Sequence, residues 1–308
     1  MLTAVEHPGS ETGCLRDLNE GMRSEPVFRP HTMFCLPESD IRQFRKDGYL
    51  LVPGVYAPEA LEAMRAPFAE AFARQTRNGS PYDSSTLLTD IYTHFPGLSN
   101  LIFNEKYVAA VQALAGPGAV LIPECALHRG RYINWHTDTT EQEIAGLDSH
   151  HDLATPVLQV ATYFQDNDPD TGGGLTLIPG THRLQDPFLH LYSKKWSHRI
   201  WNKALKIMGL SVFDRLETHP DKRDVPSRVG DLLIFDVRVF HRATARRVQG
   251  EYEKFAVFNT FTLDTPAGMD NFRFMKRRPE PYYRYFREKP LDRGLRRRAA
   301  ELGIRLLY

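Results

Sequence analysis

Residues 230–241 read Gly230-Asp-Leu-Leu-Ile-Phe-Asp-Val-Arg-Val-Phe-His241. Glycine and aspartate open a turn, the apolar run that follows reads as a strand, and a histidine stands at its end. Strand alternation puts Leu233, Phe235, Val237, Val239 and His241 on one face. A histidine closing an apolar face is more often a satisfied core side chain than a ligand. What stands upstream changes its meaning. Trp135-His136-Thr137-Asp138 ends a β-like run that starts at Arg129. Two apart on a strand, His136 and Asp138 point to the same side. A neutral imidazole beside a carboxylate suits a first-row divalent metal. Alone the pair is weak, because two residue types at one spacing recur by chance, and a buried ion pair or a surface loop is the commoner explanation. With His241 it completes two histidines and one carboxylate, a set that holds a metal on one face. The opposite positions stay open for a bidentate co-substrate and dioxygen, as in non-haem iron sites.

The flanking texture fits such a site on strands. After Gly118, short β-rich runs over 119–123, 128–135, 157–164, 174–178, 231–240 and 255–263 alternate with Gly, Pro and Asp turns. Many short strands with turn signals predict an all-β barrel or sandwich. Upstream, Ser39 reads as the N-cap of a short helix through Ile41 and Phe44, and residues 48–54 read as a strand. Leu61, Met64, Phe68 and Phe72 give residues 57–77 a helical period. Residues 78–100 read as loop, 107–115 as a helix, and 186–219 as an insertion beside a barrel mouth. There is no βαβ alternation, no GxGxxG and no GxxxxGK[ST], which argues against a dinucleotide or P-loop fold. Gly172-Gly-Gly174 is read as a tight turn needing positive φ, because no helix follows to make it a phosphate cradle. His182, in Pro179-Gly-Thr-His182, is read as structural or near the mouth.

Lys254 opens the run Phe255-Ala-Val-Phe-Asn-Thr-Phe-Thr-Leu263 and alternates with Ala256, Phe258 and Thr260, opposite Phe255, Val257 and Phe261. A lysine on an inner face needs an anionic partner, and a dicarboxylate co-substrate would supply one. The bland alternative is a lysine at the solvent edge of a strand. Arg246 and Arg247 are rival cations in the turn before Gly250. A rival metal motif, His150-His151-Asp152, also satisfies HxD. His136 and Asp138 are preferred because a β-like run leads into them, whereas 139–152 reads as a loop over the mouth.

The chain has 308 residues, 42% hydrophobic and 25% charged, with a formal net charge of +1. That balance gives no global electrostatic case for nucleic acid or a membrane. Cys14, Cys35 and Cys125 are odd in number and widely spaced, so no disulfide framework is expected and a reducing, cytoplasmic setting is the simplest reading. The start, MLTAVEHPGSETG, lacks the apolar run of a secretory signal. No stretch approaches the roughly 18 apolar residues of a spanning helix.

Several stretches together resemble one family. Phe44-Arg-Lys-Asp-Gly-Tyr-Leu-Leu-Val-Pro-Gly54, Val160-Ala-Thr-Tyr-Phe-Gln-Asp166, Thr171-Gly-Gly-Gly-Leu-Thr-Leu-Ile-Pro-Gly-Thr-His-Arg183 and Gly230–His241 look like the phytanoyl-CoA dioxygenase family, in family order. The resemblance implies a mainly β chain, with a double-stranded β-helix (jelly roll, cupin-like) core and flanking α-helices. It implies an iron(II)- and 2-oxoglutarate-dependent dioxygenase with His136, Asp138 and His241 on the iron. Lys254 would grip the far carboxylate of 2-oxoglutarate, where the family usually has the bidentate Arg, with Arg247 and Thr260 as further co-substrate contacts. Halogenases of this broad class lack the carboxylate ligand, so Asp138 implies hydroxylation, or else desaturation or ring formation, of an unactivated C–H bond.

The expected organisation is an irregular arm over 1–37, the oxygenase domain with N-terminal helices over 38–275, and a basic segment over 276–308 packed on or beside the barrel. That segment includes Arg277, Arg278, Arg284, Arg287, Lys289, Arg293 and Arg296 to Arg298, with Tyr282, Tyr283, Tyr285 and Phe286 interleaved. Leu295, Leu302, Ile304 and Leu306 suggest a terminal helix in it. A solvated helix explains the segment blandly; the sharper reading is a contact with an anionic, lipid- or saccharide-linked substrate or a membrane surface. A metal cupin or a binding protein without 2-oxoglutarate is the rival function, and no nucleic-acid partner is expected.

Overall fold

The computed structural model describes residues 34–78, 81–130, 133–147, 152–191, 196–248, 253–289 and 293–307. Apart from residues 34–37, the N-terminal arm lies outside the described residues. Glu38–Asp47 forms α1. Its cap position is Pro37, with no side-chain cap, and Ser39 lies within the helix rather than capping it. Proline already holds φ at −57°, close to the helical value, so the helix starts before the serine. Glu38 and Asp40 in the first turn, and Arg45 and Lys46 in the last, complement the dipole. Gly48 ends α1 at φ 79°. It has no room for a side chain: a Cβ there would lie 2.5 Å from His182 Nδ1 and 2.6 Å from Val239 Cγ2.

Tyr49–Val52 (β1) and Pro58–Asn78 (α2) follow, with Leu61, Phe68 and Phe72 fully buried. The loop expected over 78–100 contains Leu87–Leu88 (β2), Ile91–His94 (α3) and Ser99–Ile102 (α4), all too short to show a period. Glu105–Ala115 (α5) is capped by Asn104, whose side chain accepts from the backbone N–H of Lys106 and Tyr107. Val120–Arg129 (β3) runs through the gap between two sequence-read strands by a register shift between Ile122 and Ala126. It stops at Arg129, so the strand expected to reach Trp135 is absent.

Thr140–Ile144 (α6), Leu158–Tyr163 (β4) and Leu175–Leu177 (β5) come next. The insertion contains Trp196–Ile207 (α7) and Val212–Glu217 (α8), the latter closed by a Ser211/Asp214 capping box. Arg223–Val225 (β6), Leu232–Asp236 (β7), His241–Ala243 (β8) and Phe255–Thr262 (β9) complete the strand-rich part. Pro266–Arg277 (α9), Pro281–Glu288 (α10), Arg293–Glu301 (α11) and Arg305–Leu306 (β10) form the C-terminal segment. The terminal helix expected through Leu306 therefore ends earlier, and Leu306 pairs with Leu121 of β3 instead. Helical residues outnumber strand residues among those described, which corrects the mainly β expectation. The helices over 196–217 and 266–301 make up most of the difference.

Two sheets make the core. The larger has the order β1-β7-β4-β9-β3-β10, with β2 also on β3; the smaller is β6-β5-β8. Every pairing is antiparallel except β10 with β3. Alternation along the strands separates two faces. Leu158, Val160, Leu232, Ile234, Val257 and Phe261 join the N-terminal helices in the largest apolar cluster. Ala161, Tyr163, Leu233, Phe235 and Ala256 meet Leu175, Leu177 and Val225 of the smaller sheet. Farther along the large sheet, Val120 and Ile122 are covered by Phe272, Met275 and Tyr283 of α9 and α10 instead. The inner face thus changes cover from a sheet to helices.

The segment 230–241 is one of the links between the sheets. β7 belongs to the large sheet and β8 to the small one, so the single strand expected from the sequence is two. Between them Val239 N–H donates to Asp236 O at 2.9 Å. The buried Asp236 carboxylate accepts from Arg238 Nε at 2.7 Å and again from Nη2, holding the crossing rigid. No described helix is long and apolar enough to cross a membrane.

Candidate metal centre and its pocket

His241 is the first residue of β8, where the chain enters the small sheet. His136 reaches it through a two-way backbone bridge: His136 N–H donates to His241 O at 2.9 Å, and His241 N–H donates to His136 O at 3.1 Å. Asp138 N–H donates to Val237 O at 2.9 Å. His136 and Asp138 therefore face one way because an extended segment is stitched to the β7–β8 crossing, not because they lie on a regular strand.

One ligand atom from each of His136, Asp138 and His241 lies within 4.8 Å of the other two, the only such cluster among the described residues. Asp138 Oδ1 is 3.5 Å from His136 Nε2, and Oδ2 is 3.9 Å from His241 Nε2. Each imidazole is oriented from behind. His136 Nδ1–H donates to Asn134 O at 2.6 Å, and His241 Nδ1–H donates to Val239 O at 2.8 Å. A carbonyl can only accept, so each ring carries its proton on Nδ1 and its lone pair on Nε2, the atom that faces Asp138. Burial pushes the His241 pKa down to about 4, aided by His136, so at neutral pH this ring is uncharged and able to ligate. At Asp138 burial acts upward, but His241, His136 and Arg278 outweigh it and hold the carboxyl below its usual range. Two neutral imidazoles, a carboxylate and an open side fit a divalent first-row metal.

The neighbouring residues Trp135 and Thr137 are fixed by the insertion. Trp135 Nε1–H donates to Glu217 Oε2 at 3.0 Å, Arg242 Nη2 binds Glu217 Oε1 at 3.2 Å, and the Arg242 guanidinium lies 5.4 Å from the Trp135 ring centre. Thr137 Oγ1 donates to Asp186 Oδ2 at 2.9 Å. Residues 186–219 thus clamp the ligand-bearing loops from behind.

In front of the triad opens a cavity of about 580 Å³. Lys254, Ala256, Phe258 and Thr260 all line it, as their shared strand face requires. Lys254 Nζ donates to Asp166 O at 2.8 Å and to Thr171 Oγ1 at 3.2 Å. Burial pushes its pKa down; Arg65 and Arg246 act the same way, against Asp168 and Asp166. Gly173, at φ 86°, presses on its stem, since a Cβ there would meet Lys254 Cγ and Cδ at 3.0 Å. Thr260 Oγ1 donates to Gln159 Oε1 at 2.6 Å across the cavity wall. Arg247 is elsewhere: it does not line the cavity, and its guanidinium binds Asp224 at 2.9 Å. Arg246, read only as a rival cation, does line it.

The remaining candidates fall outside the centre. His150 and His151 lie outside the described residues. The Asp152 carboxylate is taken up by its own turn, accepting from Ala154 N–H at 2.9 Å and Thr155 Oγ1 at 2.8 Å. His182 is buried against Gly48, behind the crossing. The sequence reading missed the wall supplied by α9 and α10. Asn271, Phe274, Met275, Arg278 and Tyr283 all line the cavity. Arg278 is pinned by Glu141 at 2.7 Å and Glu280 at 2.6 Å, 4.5 Å from the Tyr283 ring centre. Thr265-Pro266, an N-cap followed by a first-turn proline, was the signal for this helix.

No curated protein matches the chain. EctD from S. alaskensis with bound Fe superposes with a TM-score of 0.56 at 15% identity, covering 83% of this chain and 86% of that one. HygX from Streptomyces hygroscopicus with nickel and 2-oxoglutarate bound gives 0.52 at 17% identity, covering 75% and 88%. The non-heme alpha ketoglutarate dependent carbocyclase SnoK from nogalamycin biosynthesis gives 0.51 at 16%, covering 84% and 95%. At such identities these likenesses speak for the fold. The family described as phytanoyl-CoA dioxygenase (PhyH) matches residues 44–250, more than half of the sequence, and the chain belongs to that family.

Proposed function

We propose that the protein is a non-haem iron(II) oxygenase that uses 2-oxoglutarate and dioxygen to hydroxylate an unactivated C–H bond of a small molecule. The observation that carries this is the convergence of two Nε2 atoms and one carboxylate on the floor of a cavity that also contains Lys254. Its two-sheet core is read as the double-stranded β-helix of the family. His136, Asp138 and His241 would hold iron(II), and the bound metal supplies activation of dioxygen against the co-substrate. The chain supplies the rest. The Asn134 and Val239 carbonyls hold the imidazoles in the ligating tautomer. Lys254, tethered by Asp166 O and Thr171, presents its ammonium to the far carboxylate of 2-oxoglutarate, with Arg246 beside it. Thr260, six residues along β9 and so about 20 Å away, lines the other end of the cavity. Leu87, Ile133, Phe274 and Met275 keep the reacting region dry, and Gln142 and Asn271 offer amide contacts to a partly polar substrate.

The support for an anionic substrate that the basic C-terminal segment offered weakens here, because Arg278 is already matched by two carboxylates. The presence of a carbocyclase among similar folds makes ring formation the outcome to compare with hydroxylation. The test is an anaerobic titration of the protein with iron(II) and 2-oxoglutarate, followed in the visible, beside His136→Ala and His150→Ala. A charge-transfer band in wild type and His150→Ala but not in His136→Ala supports the assignment. The reverse pattern moves the site to His150 and Asp152. No band despite bound iron removes 2-oxoglutarate and leaves a metal cupin.

A further inference from the structure

Six of the eleven large apolar side chains exposed among the described residues fall within 196–210: Trp196, Ile200, Trp201, Ile207, Met208 and Leu210. Trp196 is 74% exposed and Ile207 78%. This is not a helix turned the right way round. At 100° per residue, Trp196, Ile200 and Ile207 fall within an arc of about 40° on α7. Among the described residues of the helix, Asn202, Ala204 and Leu205 are half-buried; Ala204 lies beside the stripe, and Asn202 and Leu205 lie on the opposite side, where Asn202 Nδ2 donates to His190 O at 3.0 Å. The apolar stripe of α7 therefore points away from the core, with Trp201 and Met208 extending it on one flank.

Charge decides what such a face fits. Arg199, Lys203 and Lys206 border the stripe on its other flank, and all are exposed. From Asp186 to Asp214 the sequence contains no acidic residue between the two, yet it includes Lys194, Lys195, Arg199, Lys203 and Lys206. Two copies meeting through this face would oppose like charges, which disfavours self-association. Tryptophan and isoleucine on one side with lysine and arginine beside them is the composition of a helix lying in the plane of a bilayer interface. The C-terminal segment, where the sequence placed such a contact, lacks this character. It buries Tyr283, Tyr285 and Leu295, and pairs Arg278, Arg284 and Arg305 with carboxylates.

We propose that α7 is an interfacial helix that seats the protein on an anionic lipid surface. The ligand is the phosphate-bearing headgroup layer, with Trp196, Ile200 and Ile207 entering the acyl boundary. The test is flotation of the full chain with vesicles of phosphatidylcholine mixed with phosphatidylglycerol, and with phosphatidylcholine alone. Tryptophan emission gives a second readout, because Trp135 is 3% exposed and a change reports Trp196 and Trp201. Binding to the anionic vesicles only, with a blue shift, is expected. Lys203→Ala with Lys206→Ala should weaken binding roughly fivefold per lysine, and Trp196→Ser with Ile200→Ser should abolish the blue shift while leaving the thermal melt unchanged. Absence of flotation, or equal flotation by wild type and both variants, overturns the proposal. So does a concentration-dependent dimer lost in the Trp196→Ser variant, which would give the face to a second copy of this chain. The assay needs neither iron nor 2-oxoglutarate, so its result is separate from that of the oxygenase reading.

Discussion

Replacing Lys254 by methionine removes an ammonium and keeps most of the aliphatic stem that Gly173 packs against. An ammonium has three N–H donors, and two are directed at Asp166 O and Thr171 Oγ1. These two bonds aim the head of the side chain, and the third donor with its charge is what a carboxylate in the cavity would meet. A hydrogen bond between charged partners contributes about 1.5–3 kcal/mol. Lys254 is only half-buried, so the lower end applies, equivalent to about a 10- to 30-fold change at 1.4 kcal/mol per decade. The Michaelis constant for 2-oxoglutarate should rise by that factor in Lys254→Met, measured by succinate release with the second substrate saturating. Iron(II) affinity should stay unchanged, because the triad is oriented by Asn134 and Val239 rather than by Lys254. Loss of the two tethering bonds should cost about 1 kcal/mol of stability, a drop in Tm of about 2 °C. An unchanged Michaelis constant, with Tm reduced as expected, would show that the ammonium serves only the turn it is bonded to and that the co-substrate lies elsewhere.

Gly173→Ala places a side chain at φ 86° and against the Lys254 stem. The strain of about 1–2 kcal/mol should appear in the melt, and displacement of Lys254 should raise the 2-oxoglutarate Michaelis constant severalfold. At Glu217 burial acts to raise the pKa, but Lys222, Trp135 and Arg242 together hold it below its ordinary 4.5. A depressed folded pKa means stability that is present above 4.5 and lost as pH falls through the folded value. Glu217→Gln should therefore melt lower at neutral pH and show a shallower loss of Tm below pH 4.5 than wild type. Phe68 is fully buried, edge-on to Phe95, Phe164 and Phe255 with ring centres 4.9, 4.8 and 5.6 Å away. Phe68→Ala should destabilise by about 3–5 kcal/mol in chemical denaturation.

The parts of this molecule legible in the sequence are those where a period repeats. Helix α2 and strands β4 and β9 are long enough for alternation to show, and Lys254, Ala256, Phe258 and Thr260 share a face for that reason. Arg247 misled because a turn sends neighbours in different directions: Arg246 lines the cavity while Arg247 pairs with Asp224. Strand β6 is three residues long and its pairing with β5 is entirely non-local, so nothing in its own composition announces it. The C-terminal wall was read as charge because arginine and tyrosine dominate it. Only the folded chain shows that Arg278 is matched by Glu141, from 137 residues away in sequence.

His136, Asp138 and His241 come together although no regular strand carries the first two, and the reason lies in the β7–β8 crossing. His136 and Asp138 were read as facing one way because a strand carries them, yet the strand ends at Arg129. What persists is extended backbone, in which residues two apart share a side whether or not a full ladder forms. The β7–β8 crossing then supplies the partners a ladder would have supplied: His241 for His136, and the carbonyl of Val237 for Asp138. The same holds within 230–241. The run breaks at Asp236 to change sheets, but the break adds a turn closed between Val239 and Asp236 and leaves His241 on the cavity side with Phe235 and Val237. Spacing alone thus carries the ligand set, while the point at which the chain changes sheets decides where that set is placed. A metal site at such a crossing is fixed from both sheets at once, and the buried Asp236–Arg238 pair, in which the carboxylate also accepts from Arg238 N–H at 3.0 Å, is the brace that keeps the crossing from sliding.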